Sequence, residues 1–297
     1  MLADCQNIEF INLDLKRTKS AVVAIGDSFT EGDELGTNDD TDPNLSFVNI
    51  LCKKYLNNDY TPINFGQAAS GNTAAIMRLL LQNVNWHLCE KLTVIFCPSS
   101  MHRFDVINDT TDLTIGTEFK TLWGFMCPHL DYTESPWRDI HTIFGQSILS
   151  TRWEALHNLL LFQILDLWCK SKNAELLIFP AFYPNMYNRN YFNSLVNQSV
   201  QRNKNSQLIV DQKATHDLGK YNHLLDSVPW DKIIKIDEAT CFFDLCARQE
   251  PNYDPKKDIG YYASRGVISE GGWLMPRGHP SSKGHDLLAR KLMAYIK

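Results

Sequence analysis

Two short clusters, nearly the whole chain apart, carry residue types that nucleophilic catalysis needs. The first is Gly26-Asp27-Ser28-Phe29-Thr30-Glu31-Gly32, directly after the apolar run Ala21-Val22-Val23-Ala24-Ile25. A serine at a strand-to-helix junction holds its hydroxyl at the edge of a sheet. Its own N–H, with neighbouring ones, can face a developing negative charge. The same residues also make an ordinary strand-ending turn with Ser28 as a helix cap. The second cluster is Gly278-His279-Pro280-Ser281-Ser282-Lys283-Gly284-His285. His279 stands in a Gly/Pro loop ahead of a terminal helix, where an imidazole can act as general base toward a serine. The competing reading is a histidine that only packs a turn. His285, inside the helix, reads as structural. Glu31 and Asp33, close behind the serine, read as solvated turn residues.

The elements that must position these groups are legible from apolar spacing. Residues 21–25, 61–65, 92–97, 175–179 and 232–237 have strand length and are mostly ended by Gly or Pro. Residues 45–57, 72–83, 151–170 and 281–296 have helical spacing. Short apolar strands alternating with helices predict a three-layer α/β/α domain around a mainly parallel five-stranded sheet. Residues 1–297 are expected to form one domain, with insertions at about 99–150 and 182–231. Both insertions follow strand C-termini, where open α/β sheets place their ligand crevice. They hold most of the loop aromatics: Trp123, Trp137, Tyr183, Tyr187 and Tyr191, to which Tyr261, Tyr262 and Trp273 add. Flat rings there suit sugar faces, although most loop aromatics simply pack.

Composition narrows the function classes. Hydrophobic residues are 44% of the 297 and charged residues 21%, with a formal net charge of −5. No Lys/Arg run exceeds two residues, so neither nucleic acid nor an anionic membrane is an expected partner. No stretch of about 20 apolar residues offers a bilayer span. The N-terminal residues lack the long apolar core of a secretion signal, so the expectation is a cytoplasmic protein, with a virion component as the other option. The eight Cys form no C-x-x-C pair and several sit in apolar runs, which points to buried free thiols in a reducing compartment. Cys241 and Cys246 with His216 and His223 match no familiar zinc spacing, and no metal or other cofactor is expected. Asn44, Asn108 and Asn197 begin chance N-x-S/T matches.

Taken together, the Gly26-Asp27-Ser28 turn, Ala69-Ser70-Gly71-Asn72-Thr73 after the second strand, and His279-Pro280 before the last helix resemble the SGNH (GDSL-type) hydrolases. The resemblance runs from residue 21 to 297, in order. It implies Ser28 as nucleophile and His279 as base. It also implies an oxyanion hole from the N–H groups of Ser28 and Gly71, and hydrolysis of an ester through an acyl-serine without a metal. Asp27, Asn72 and Arg103 are the further candidates for contact with substrate.

Two blocks depart from the family pattern. The third usually supplies an Asn as oxyanion donor, and here reads Pro98-Ser99-Ser100-Met101-His102-Arg103. His102 is the favoured replacement, ahead of Ser99, Ser100 and Arg103. The Asp expected three residues before the histidine is Pro276. A carbonyl near Met275, Glu270, Asp237 or Asp244 are the alternatives for orienting His279. The expected function is a serine esterase on a small-molecule or carbohydrate ester, for instance an O-acetyl group. A weakened or inactive binding protein and an acyltransferase using the same serine are the alternatives.

Overall fold

The computed structural model describes residues 19–33, 35, 42–68, 70–82, 84–101, 103–108, 118–123, 151–182, 187–197, 199–202, 208–211, 219–251, 253–254, 272–275 and 278–296. Four strands form the central sheet: β1 (Ser20–Gly26), β2 (Thr61–Gly66), β3 (Lys91–Cys97) and β6 (Glu175–Ile178), in the order β2-β1-β3-β6 and parallel throughout. Nearly every residue of β1 and β3 is buried, because helices cover both faces. Alternate side chains therefore enter two separate cores. Val23, Ile25, Val94 and Phe96 pack under α3 (Asn72–Leu80), α4 (Thr151–Ser171) and α5 (Arg189–Asn197). Val22, Ala24, Ile95 and Cys97 pack under α2 (Phe47–Ile50), α7 (Phe242–Ala247) and α8 (Ser282–Leu292).

The sheet has four strands where five were expected. The fifth segment makes a single parallel bridge, Ile233 to Ile178, with Ile234 N–H donating to the Ile178 carbonyl at 3.0 Å. A 3-10 turn at Trp230–Lys232 precedes it. A tight turn with positive φ at Asp237 and Glu238 follows. Too little extended chain remains between them for a ladder. The helix expected over 45–57 is split: α2 passes at Leu51–Tyr55 into a π-type turn, closed by Leu56 N–H on the Leu51 carbonyl.

The first insertion carries an antiparallel hairpin, β4 (Arg103–Asn108) with β5 (Glu118–Trp123). The second carries α5, the hairpin β7 (Ser199–Arg202) with β8 (Leu208–Asp211), and α6 (Asn222–Asp226). No helix among the described residues is long and apolar enough to cross a membrane.

Candidate active site

The order β2-β1-β3 makes the chain reverse direction across the sheet between β1 and β3, and the C-terminal ends of strands at such a reversal are where open α/β sheets generally place a ligand. Ser28 follows β1 and Ser99 follows β3, so both loops meet there.

The turn that carries Ser28 is α1 (Ser28–Glu31), a single turn of helix. Asp27, not Ser28, is its cap, and Asp27 Oδ1 accepts the Phe29 N–H at 3.1 Å. The turn closes at Gly32, whose φ of 92° lies in the left-handed region that L side chains avoid. The N–H groups of Gly32 and Asp33 both donate to the Ser28 carbonyl, each at 3.1 Å. Asn64 Nδ2 donates to the Thr30 carbonyl at 2.9 Å, and Ala68 N–H donates to Glu31 Oε2 at 2.5 Å. These bonds strap the end of β2 to α1. Glu31 is thus half-buried, and burial pushes its carboxyl above the ordinary value. Arg78, on α3, ties the strand ends together through the carbonyls of Gly26 and Phe65.

At the other end of the chain, a narrow loop presents His279. Leu274 bridges Pro280, Met275 N–H donates to the His279 carbonyl at 2.6 Å, and Ser281 N–H donates to the Trp273 carbonyl at 2.9 Å. The Met275 carbonyl, a candidate for orienting the ring, accepts the Gly278 N–H at 2.7 Å. Ser281 caps α8. His285 pins α8 to α2, its Nδ1 accepting the Phe47 N–H at 3.0 Å. Complete burial drives His285 down to about 3, so it stays neutral, and its ring stands nearly perpendicular to that of Phe242, with 5.0 Å between centroids.

These two constructions bring His279 Nε2 to 2.9 Å from Ser28 Oγ. The two ends of the polypeptide therefore meet in one hydrogen bond. Asp33 Oδ2 lies 3.7 Å from the same His279 nitrogen. Asp33 was expected to be a solvated turn residue; the left-handed turn at Gly32 sends it back over the serine instead.

The other candidates sort differently. Gly71 N–H donates to Asp105 Oδ1 at 2.9 Å, and Ala74 N–H donates to Asp105 Oδ2 at 2.7 Å. The glycine expected as an oxyanion donor is thus engaged by a carboxylate from β4. Asp27 is completely buried and pairs with Arg103, Nη1 to Oδ2 at 3.0 Å. Burial raises the Asp27 carboxyl above its ordinary value, while the Arg103 charge and the Phe29 N–H pull it down. Arg103 Nη1 also donates to the Ser70 carbonyl at 3.1 Å, and its guanidinium lies over the Phe182 ring. Asn72, expected at the substrate, is a buried strut. Its Oδ1 accepts the Ser99 N–H at 2.7 Å, and its Nδ2 donates to Asn158 Oδ1 at 2.6 Å. Asp27, Asn72 and Arg103 therefore brace the site and do not line an open surface.

Asp244 accepts from the Tyr253 hydroxyl and pairs with Arg248, and Asp237 pairs with Lys291. Both are spent away from His279. His102, Glu270, Pro276, His216, Trp137, Tyr183, Tyr261 and Tyr262 lie outside the described residues. Tyr187 is buried with its hydroxyl on the Ser99 carbonyl, and Tyr191 packs against the core, so neither offers a free ring face. Among the described residues no group of three His, Cys, Asp or Glu could hold a metal ion.

Sequence reasoning missed Asp105 and Asn158, and gave Asp33 and Tyr187 other roles, a solvated turn residue and a loop aromatic. Only Arg103-Phe104-Asp105 carried a signal, since strand periodicity puts residues two apart on one face.

No family model matches the chain, and no curated protein matches it. Among solved structures it is similar to the lipase/acylhydrolase from Enterococcus faecalis, with 13% identity over 94% of this chain and 97% of that chain and a TM-score of 0.40. It is similar to the acetyl xylan esterase AlAXEase at 11% identity, covering 93% and 100% of the two chains, with a TM-score of 0.40. The lipase Lip_vut3 from a goat rumen metagenome gives 14% identity, 93% and 96% coverage and a TM-score of 0.37.

Proposed function

We propose that this protein is a serine ester hydrolase acting through an acyl-serine intermediate. The 2.9 Å contact between Ser28 Oγ and His279 Nε2 carries the reading. With Nε2 unprotonated, the imidazole accepts the Ser28 hydroxyl proton as Oγ attacks the carbonyl carbon of a carboxylic ester. The tetrahedral oxyanion collapses, the C–O bond to the leaving group breaks, and His279 returns its proton to the departing alkoxide. Water, deprotonated by the same nitrogen, then cleaves the acyl-serine and restores the hydroxyl. The Ser28 N–H, at the start of α1, is the donor this reading assigns to the oxyanion. The resemblance of the three sequence blocks to SGNH hydrolases supports the same chemistry.

A second reading, a binding protein without turnover, draws on one observation: Gly71 N–H is held by Asp105. One experiment separates the two. A fluorophosphonate probe should label Ser28, as located by peptide mapping, and Ser28→Ala and His279→Ala should each lower release of nitrophenol from p-nitrophenyl acetate by about a thousandfold or more. Folded wild-type protein that neither takes the label nor turns over the ester would remove the hydrolase reading.

A further inference from the structure

The hydrogen bond between Ser28 and His279 pins one nitrogen of a ring, and a ring pinned at one point can still turn. The Leu274–Pro280 bridge and the Met275 N–H on the His279 carbonyl set where this side chain begins. They do not set its plane. The torsion about the Cβ–Cγ bond of a histidine is broad, without the sharp staggered wells of an aliphatic chain. Contacts with the imidazole itself must narrow it.

Phe29 makes such a contact. Its ring centroid lies 5.2 Å from that of His279, with the two planes tilted by 57°. At this spacing the edge of one aromatic ring meets the face of another. Phe29 is 3% exposed and is itself wedged, 5.1 Å from the Phe182 ring and 6.2 Å from the Phe242 ring. Phe182 is backed in turn by the Arg103 guanidinium, 5.2 Å from its centroid. The wall beside the imidazole is therefore well supported. It also follows Ser28 directly in α1, so one turn of helix places both the hydroxyl and the ring that aims its partner.

We infer that Phe29 is a positioning residue for His279, whose ring limits rotation of the imidazole and keeps Nε2 on the Ser28 hydroxyl. This rests on the hydrolase reading and deepens it by naming what aims the base. A misplacement of about 1 Å between reacting groups can cost about a hundredfold in rate. His279 serves both formation and hydrolysis of the acyl-serine, so loosening it slows both steps. KM depends on the ratio of the two and should hold steady while kcat falls. A change that merely altered how substrate sits would move KM.

The test measures kcat and KM on p-nitrophenyl acetate, together with the rate of fluorophosphonate labelling at Ser28. Phe29→Leu should lower kcat and the labelling rate by about tenfold or more, with KM within about twofold of wild type. Phe29→Met keeps more of the volume but not the flat ring; it should do the same, and it decides the matter should the leucine variant fail to fold. Phe242→Leu removes a fully buried ring that meets Phe29 and His285, and should lose stability while keeping kcat within about threefold. Retention of kcat within about twofold on losing the Phe29 ring overturns the assignment and leaves the hydrolase standing. So does an equal loss in Phe242→Leu, or a change carried by KM. Wild-type protein that neither labels nor turns over the ester removes the hydrolase reading, and this inference with it.

Discussion

Arg103→Met offers a sharp test of how the site is held, because it leaves the Asp27 carboxylate in place and removes its only matched charge among the described residues. Asp27 is completely buried, and the Arg103 side chain is 8% exposed. Methionine keeps much of the arginine stem's bulk and its packing against Phe182. What is lost is the 3.0 Å ion pair and the bond to the Ser70 carbonyl. Removing one partner of a buried pair strands the other without compensation and costs about 3–5 kcal/mol. The Phe29 N–H remains on Asp27 and offsets part of this. The expectation is therefore a loss of roughly 3–4 kcal/mol near neutral pH, read by urea denaturation followed through tryptophan fluorescence.

The pH dependence has a definite sign. Burial raises Asp27 above the value it has in the unfolded chain, so over that interval the folded state holds the proton more tightly. Stability from this group falls as pH rises from the unfolded value, near 4, through the folded one. Without Arg103 the folded value climbs further and the interval widens. The deficit of Arg103→Met should thus be smaller at about pH 5 than at about pH 8. His285 works in the opposite direction: held near 3, it takes up a proton on unfolding below its ordinary 6.5, and stability falls with acid. That effect is common to both proteins and cancels in the difference. The double variant Asp27→Asn with Arg103→Met should recover much of the loss, since Asn also caps helices well. A deficit below about 1 kcal/mol, or one that grows toward acid pH, would refute this account of the pair.

Three further outcomes follow from neighbouring contacts. Asp105→Ala removes the carboxylate that accepts from Gly71 and Ala74, and should cost about 2–4 kcal/mol in the same denaturation assay; Asp105→Asn, with one oxygen acceptor in place of two, should lie between. Gly66→Ala should be damaging at the turn that carries Ser28, because its Cβ would fall 2.2 Å from the Glu31 nitrogen and backbone cannot yield as a side chain can; a loss of at least about 3 kcal/mol and, under the hydrolase reading, much reduced Ser28 labelling are expected. Burial pushes the thiols of Cys52, Cys97 and Cys169 up to about 12, so mass mapping after brief exposure to Ellman's reagent should find them unmodified in folded protein and modified in denaturant.

How far the sequence could be read depended on whether a feature is local. The strands at 21–25 and 92–97 announced themselves because burial on both faces demands continuous apolar runs. Ser28 and His279 stood out because turn residues surround them. The fifth strand misled, since Lys232–Asp237 has strand composition but too little length between two turns. Asp33 was misread because its place depends on the handedness of one residue, Gly32, and two carboxylates in a polar turn look alike in sequence. Asn72 carried the signature of a contact residue, yet its amide bridges Ser99 and Asn158, a pairing set by packing between α3 and α4 that no spacing encodes.

The hairpin of the first insertion explains the departures in the third block. Arg103 and Asp105 are two apart on β4 and so share a face. One clamps the loop after β1 through Asp27 and the loop after β2 through Ser70; the other caps α3 through Gly71 and Ala74. A single strand with alternating opposite charges thus braces both loops that frame the serine. The brace also carries a constraint: the Gly71 N–H cannot serve an oxyanion while Asp105 holds it. If the protein is a hydrolase, either its transition state is stabilised without that donor, leaning on Ser28 N–H, or β4 must draw back when substrate enters. Asp105→Ala, which frees the Gly71 N–H, tests whether that donor matters: a rise in turnover per folded molecule as stability falls would assign Gly71 to the oxyanion, and no rise would mean the transition state does without it.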